Sequence, residues 1–271
     1  MINMPDIINS IYNMKLVDDL AQKDTFIHRL HPVVKLLTTA FYLIAVVSFG
    51  QYEISGLLPF VFYPVMVIAI AELPVAPVLK RILLVEPFII GIGILNPLFD
   101  NYMVSFGGIS FSRGWITFLS IFIKSGLTVS VSILLIATTG MDRLAEALRM
   151  LKIPRIFVLQ LLLTYRYIAV LADEVYRLQR AYSLRSPGQK GVRRSVWGSF
   201  AGQLLLRAFE RAQQIYQAMS LRGFTGEYNT GEASRVGIRD FAYLACWSMF
   251  FIAARIYDIP ALIGSLLIGV L

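Results

Sequence analysis

Three observations predict an all-α integral membrane protein of about five, or six, transmembrane helices with a cytoplasmic insertion of coupling helices. The composition is too apolar for water, several apolar runs have the length of a membrane span, and one basic block interrupts them. The 271 residues are 57% hydrophobic and 15% charged, with a mean hydropathy of +0.67. A soluble domain carries about 25% charge, so an ordinary cytosolic enzyme is excluded. The single cysteine, Cys246, excludes a disulfide framework, a cysteine-cluster zinc site and a Cys-X-X-Cys redox motif. Ordinary Gly (19) and Pro (11) contents exclude collagen-like and low-complexity chains. Basic residues number 25 against 17 acidic ones, and residues 140–240 hold sixteen of the former and eight of the latter. That block therefore carries the whole net charge of +8.

Residues 1–32 form a leader without the uninterrupted apolar core of a secretory signal. Ile7, Ile8, Ile11, Tyr12 and Leu16 fall at helical spacing with polar residues between them. An amphipathic helix results, lying either on the membrane surface or on the protein's own bundle. Residues 33–138 form a four-span bundle, with apolar runs at 33–49, 54–71, 82–99 and 115–138. Each is close to what a helix needs to cross roughly 30 Å of hydrocarbon. Residues 241–271 supply the last apolar stretch, interrupted by Arg255, Asp258 and Pro260. It reads equally as one tilted helix or as a helix with a broken end. Arg29, Lys35, Lys80 and Arg81 flank one side of the spans, while the opposite loops hold only Arg113. The positive-inside rule then places the N-terminus and the insertion in the cytoplasm.

The insertion, residues 139–240, is far longer than a connection requires. Helices are expected over 142–151, stopped before Pro154, then over 156–184 and 200–221. The second is apolar in its first half and charged after Asp173; all three have an amphipathic pattern that buries one face. The two long helices end alike, in Ala181-Tyr182-Ser183-Leu184-Arg185-Ser186 and Ala218-Met219-Ser220-Leu221-Arg222-Gly223. A pair of helix stops accounts for the Gly and tolerates the Arg. It does not account for shared Ala, Ser, Leu and Arg, so a docking role is favoured, in which each arginine offers a planar charged fork to a carboxylate on another protein.

On these residues the chain resembles the transmembrane T component of energy-coupling factor (ECF) transporters, a branch of ABC importers. The likeness includes His28-Arg29-Leu30-His31-Pro32, Lys35-Leu36-Leu37, Thr138-Thr139, Leu144, Ala147-Leu148, Leu151, Pro154, Arg166-Tyr167, Glu174 and the two Ala-X-X-X-Arg-[Ser/Gly] signatures. The resemblance implies that Arg185 and Arg222 dock in grooves of an ABC-type ATPase dimer, with Ala181, Ser186, Ala218 and Gly223 completing the motifs. A separate metal-binding membrane subunit and the lipid bilayer are the other implied partners. The cytoplasmic (inner) membrane of a prokaryote is the implied location. Two positions depart from the family pattern: Ser186 stands where Gly is usual, and His31 where Asp is usual. Leader residues Val17-Asp18-Asp19-Leu20-Ala21 look like the dedicated cobalt or nickel type (CbiQ-like). Cobalt is the first expectation and nickel the second; a shared T component for vitamins is the alternative within this class.

Chemistry elsewhere is sparse. His28 and His31, with Asp24, have the spacing of a weak metal site, but an interfacial basic cluster before a span is the simpler reading, and no metal ligand is assigned. Glu86, Asn96 and Lys124 are candidate polar residues within the membrane. Glu86 is placed about one turn inside its span, where it reaches the interface. Lys124 lies some nine residues into span four and faces a polar interior, a partner, or the lipid surface by snorkelling, with Asn96 as a candidate neighbour. Asn96-Pro97 is expected to kink span three. No nucleotide-binding, zinc-protease or serine-hydrolase motif occurs, no cofactor is expected, and ATP hydrolysis is assigned to a partner. The arginines spread over amphipathic helices fit anionic lipid better than nucleic acid. A membrane enzyme using Lys124 or the intramembrane acids is the rival from a different class.

Overall fold

The computed structural model describes residues 20–99, 103–106, 109–186, 192–224, 226 and 236–257; the leader helix expected before residue 20 and the apolar residues after Tyr257 lie outside them. The helices are α1 (Phe26–Arg29), α2 (Pro32–Val47), α3 (Phe62–Ile70), α4 (Val75–Gly93), α5 (Leu95–Phe99), α6 (Arg113–Thr139), α7 (Met141–Met150), α8 (Arg155–Arg185), α9 (Trp197–Leu221) and α10 (Ile238–Ile256). A 3-10 helix, Ser55–Val61, precedes α3. The one departure from all-α among the described residues is a hairpin of β1 (Met103–Phe106) and β2 (Ile109–Ser112), antiparallel with Val104 opposite Phe111. The chain is an all-α membrane protein of two compact units: Met141–Ala233 forms most of one, and Leu20–Gly140 with Ser234–Leu271 forms the other.

In the second of these units, helix ends are set by chemistry that can be traced residue by residue. Pro32 opens α2 at its first position, and His31 caps it by accepting from the Val33 N–H through Nδ1 (3.2 Å). After α3, Glu72 takes a left-handed φ of +49° and the Leu73 N–H reaches back to Ile68 O, a Schellman stop. Pro74 then starts α4 at Val75, seven residues earlier than the apolar run suggests. Lys80 and Arg81 thus belong to the helix, not to a loop. Stretch Val75–Phe99, α4 with α5, is 25 residues long. Glu86 is its twelfth residue, near mid-span and well beyond the single turn expected from sequence. The break associated with Asn96-Pro97 falls at Ile94, one turn before the proline, where Pro97 leaves no N–H for the Gly93 carbonyl. Gly114 lets the start of α6 touch this broken end: a Cβ there would lie 2.5 Å from Asn96 O.

The core of this unit is a cluster of rings. Tyr42 from α2, Phe60 from the 3-10 helix, Tyr63 from α3 and Phe251 from α10 are each 4% exposed or less. Tyr42 lies 5.1 Å from Tyr63 and 5.3 Å from Phe251, centroid to centroid, and its hydroxyl donates to Phe60 O (3.1 Å). Such offset pairs add about 0.5–1.5 kcal/mol each beyond area burial. Helix α6 buries Thr117, Ser120, Leu127, Val131, Leu134 and Thr138, a three-four spacing that keeps one face inward.

Two lysines close helix ends on this unit. Lys35, 4% exposed, donates from Nζ to Thr138 O at the end of α6 (2.8 Å) and to His28 O in α1 (3.3 Å). Beside it, Asp240 accepts the His31 N–H through Oδ1 and the Gly237 N–H through Oδ2, both at 2.8 Å, so one carboxylate ties the start of α2 to the start of α10. At the other end of α2, Lys124 of α6 donates to Phe49 O (2.7 Å) and Gly50 O (3.1 Å). Arg255 of α10 donates to Ser48 O (3.1 Å) and stacks on Phe49 at 4.4 Å.

In the other unit, α7 ends in a Schellman turn with Lys152 at φ +62° and Ile153 N–H bonded to Leu148 O, followed by Pro154 and α8. Helices α8 and α9 run antiparallel. Glu174 of α8 is paired with Arg207 of α9, while Leu163 and Tyr167 share a groove with Ile215 and Met219. At 31 residues, α8 is also long and apolar enough to cross a membrane, as are Val75–Phe99 and α6. Most of its apolar residues precede Asp173, so that match rests on the N-terminal part of the helix.

Removing the Lys35 ammonium would leave the Thr138 carbonyl and the His28 carbonyl without this buried donor. Lys35→Met is expected to lower stability by about 2 kcal/mol, whereas Lys80→Met, at an exposed position, should stay within about 0.5 kcal/mol. Thermal unfolding of the two variants in one detergent checks this.

Candidate functional site

The repeated signature sits at the C-terminal ends of α8 and α9. In both copies the serine is satisfied within its own helix: Ser183 Oγ donates to Arg180 O (2.8 Å) and Ser220 Oγ to Tyr216 O (2.9 Å). The leucines are not buried: Leu184 is 76% exposed and Leu221 89%. Arg185 and Arg222 are exposed beside them, as are Ala181 and Ala218. Each helix thus ends in an apolar side chain next to an always-charged one, both turned out of the unit, with a small residue one turn earlier. A leucine left in water forgoes about 1.5–3 kcal/mol that a partner's groove would recover. The guanidinium supplies directional donors at the same place.

The two ends close differently. Gly223 has φ +76°; its N–H bonds Ser220 O and the Phe224 N–H bonds Met219 O, both at 3.0 Å, completing a Schellman motif around Arg222. Phe224 and Met219 line the same groove, the apolar contact that accompanies such a stop. Ser186, where the first signature lacks Gly, has φ −129° and donates its N–H to Tyr182 O (3.0 Å). At this end, therefore, the residue in the signature's last position is not left-handed.

Between the helices runs an apolar groove of about 350 Å³, lined by Leu163, Tyr167, Leu171, Ile215, Met219 and Phe224 among others. It gives way to a polar stretch at Glu174, Arg207, Glu210, Arg211 and Gln214. Glu174 was a residue of the sequence resemblance; Arg207, its partner, carried no sequence signal beyond its helical phase.

The intramembrane candidates are held apart. Lys124 spends its ammonium on the carbonyls just beyond the end of α2. Glu86 is buried on α4 and meets Ser125 Oγ at 3.4 and 3.5 Å, a hydroxyl whose shorter bond goes to Phe122 O (2.8 Å). Asn96 is half-buried on α5, beside Gly114, ten residues from Lys124 on α6 and hence about 15 Å along that helix. The three do not form one site.

The two histidines are fastened to the backbone. Leu20 O can only accept, so His28 Nε2 carries the proton and donates to it (3.0 Å), while Nδ1 accepts from Thr25 Oγ1 (2.7 Å). Both nitrogens are engaged, as is His31 Nδ1 at the cap of α2. Asp24 binds Arg29, with 2.6 and 2.8 Å contacts. Among the described residues no group of three or more His, Cys, Asp or Glu is placed to hold a metal ion. Burial first, then the nearby Lys35 charge, lowers the pKa of His28.

The described residues thus form an all-α, multi-span membrane protein in which two helices end in an exposed Leu-Arg pair. The chain belongs to the CbiQ family, described as cobalt transport protein, whose pattern matches residues 23–232. It is 26% identical over 188 residues to an uncharacterized protein of Methanocaldococcus jannaschii, covering 65% of this chain and 64% of that one. It is 26% identical over 117 residues to the nickel permease LarQ of Lactiplantibacillus plantarum (42% of this chain, 43% of the relative). With the cobalt transport protein CbiQ of Salmonella typhimurium it shares 28% identity over 119 residues (43% and 52%). The matched stretch thus spans between about two fifths and just under two thirds of these relatives' lengths.

Gly223→Ala places a Cβ in the left-handed region and is expected to cost the end of α9 about 1 kcal/mol; Ser186→Ala, at a φ open to any residue, should cost under about 0.5 kcal/mol. Faster amide exchange confined to the last turn of α9 checks the first. For His28, whose pKa is lowered on folding, the unfolded chain takes up the proton first as pH falls. Its contribution to stability is full above about pH 6.5 and is lost progressively below that until the folded form protonates too. Melting temperatures between pH 7.5 and 5 should fall less steeply for His28→Gln than for the natural chain.

Proposed function

We propose that this chain is the transmembrane T component of an ECF-type importer for a divalent metal ion, cobalt first and nickel next. In this reading it sits in the cytoplasmic membrane of a prokaryote with its N-terminus and residues 139–240 on the cytoplasmic side. Arg185 and Arg222 each enter a groove of an ABC-type ATPase dimer, with the neighbouring leucines seated beside them. ATP is hydrolysed on that dimer, not on this chain. A change in the spacing of the two grooves moves α8 and α9, and their apolar faces pass the movement to a metal-binding membrane subunit.

The observation that carries this reading is the repeated, outward-facing Leu-Arg pair at the ends of two antiparallel helices of one unit. A helix stop needs neither an exposed leucine nor an arginine. The family's description and the names of the nickel and cobalt relatives support a metal ion as cargo.

Arg185→Glu with Arg222→Glu should abolish retention of the ATPase subunits in pull-downs from membranes, while the chain stays inserted and folded. The Arg→Lys pair keeps the charge but not the bidentate fork, and should weaken retention without abolishing it. A double Glu variant that still retains the ATPases would overturn the proposal.

A further inference from the structure

We propose that Glu174 and Arg207 form the pivot that fixes the register of α8 against α9, so that movement at one signature end is delivered as rotation and not dissipated as sliding. The inference deepens the coupling reading and rests on it. Away from this level the groove is mostly apolar, with Leu163, Tyr167 and Leu171 facing Ala208, Ile215 and Met219, and with Thr164 and Arg211 also in its lining. Apolar attraction scales with area and has no direction, so two such faces shift past one another at small cost. A charge pair between helices is directional, and polar contacts between packed helices are a recognised means of selecting register.

The position of the pair suits a pivot. Arg185 lies eleven residues beyond Glu174 on α8, and Arg222 fifteen beyond Arg207 on α9; at 1.5 Å per residue the arms are about 16 and 22 Å long. Because the helices are antiparallel, the two arginines lie on opposite sides of the pair. A tilt of about 10° about it would displace the Arg222 end by about 4 Å. The Glu174 side chain is 17% exposed against 48% for Arg207, so the carboxylate is the more confined partner. Glu210 and Arg211, at the next turn of α9, line the same cleft and are the charged groups able to compete for the contact. A pair this open to water adds little to stability, so its role is geometric, and melting temperature is a poor reporter of it.

The test uses the purified full chain in lipid nanodiscs, with spin labels at Ser183→Cys and Ser220→Cys and with Cys246→Ser. Glu174→Ala and Arg207→Ala should broaden or split the distance distribution between the two ends. The reversal Glu174→Arg with Arg207→Glu should restore a single narrow one. Glu174→Gln, nearly identical in shape, serves where the alanine variant does not fold. In cells, cobalt uptake should fall severalfold in each single variant and recover in the reversal, with ATPase retention unchanged throughout. Single variants that keep the natural distance distribution, or a reversal that fails to restore it, overturn the pivot. If the natural chain retains no ATPase, the coupling reading falls instead, and the distances measured on the chain alone still decide whether the pair sets register.

Discussion

A helix that ends inside or at the edge of hydrocarbon leaves carbonyls and N–H groups that water cannot reach, and each must find a partner within the protein. The membrane unit depends on how it meets this demand. Lys35 is withdrawn from solvent to accept the end of α6 as its partner, and Asp240 joins the first turns of α2 and α10. On the far side Arg255 donates to the carbonyl of Ser48, the cap of α2, and Lys124 to those of Phe49 and Gly50 just beyond it. Charges that look costly in an apolar helix are therefore spent on backbone groups that would cost as much if left alone. The ring cluster around Tyr42 and Phe251 then packs between ends that are already tied.

Much of this was legible in the sequence because lipid imposes length and hydropathy on every span, and those are local properties. The positions of α2, α6 and the three helices of residues 141–221 follow from such local patterns. The start of α4 did not, because Lys80 and Arg81 read as loop charges, although long basic side chains are readily carried on the end of a membrane helix. That displacement is what moved Glu86 from the interface to mid-span. The hairpin had a signal: Gly107-Gly108 separates two runs that alternate apolar and Ser residues, a pattern favouring a tight turn between strands. The ties made by Lys35 and Asp240 had none, since their partners lie 103 and 209 residues away in sequence. The motif around His28 and His31 marks that place without revealing that both rings serve the backbone.

The signature was legible for a different reason. Repetition at two helix ends stands out against any background of propensity, and it directed attention to Arg185 and Arg222. What sequence could not show is which of the shared residues are already occupied. The serines turn back on their own helices, and the leucines and arginines do not. Exposure thus separates the part of the motif that builds the helix from the part available to another protein. Arg207 became visible only once α8 and α9 were laid against each other.

One consequence follows from the unlike turns at Ser186 and Gly223. A two-fold symmetric partner presents two identical receptor surfaces, yet this chain is a single polypeptide whose two projecting ends close by different backbone geometries. One end is anchored by a left-handed glycine and a returning phenylalanine, the other by a serine with φ −129°. Two identical surfaces meeting these ends would be gripped in two different ways. Asymmetry would then enter such an assembly through this chain, from the difference of one residue at the end of a helix.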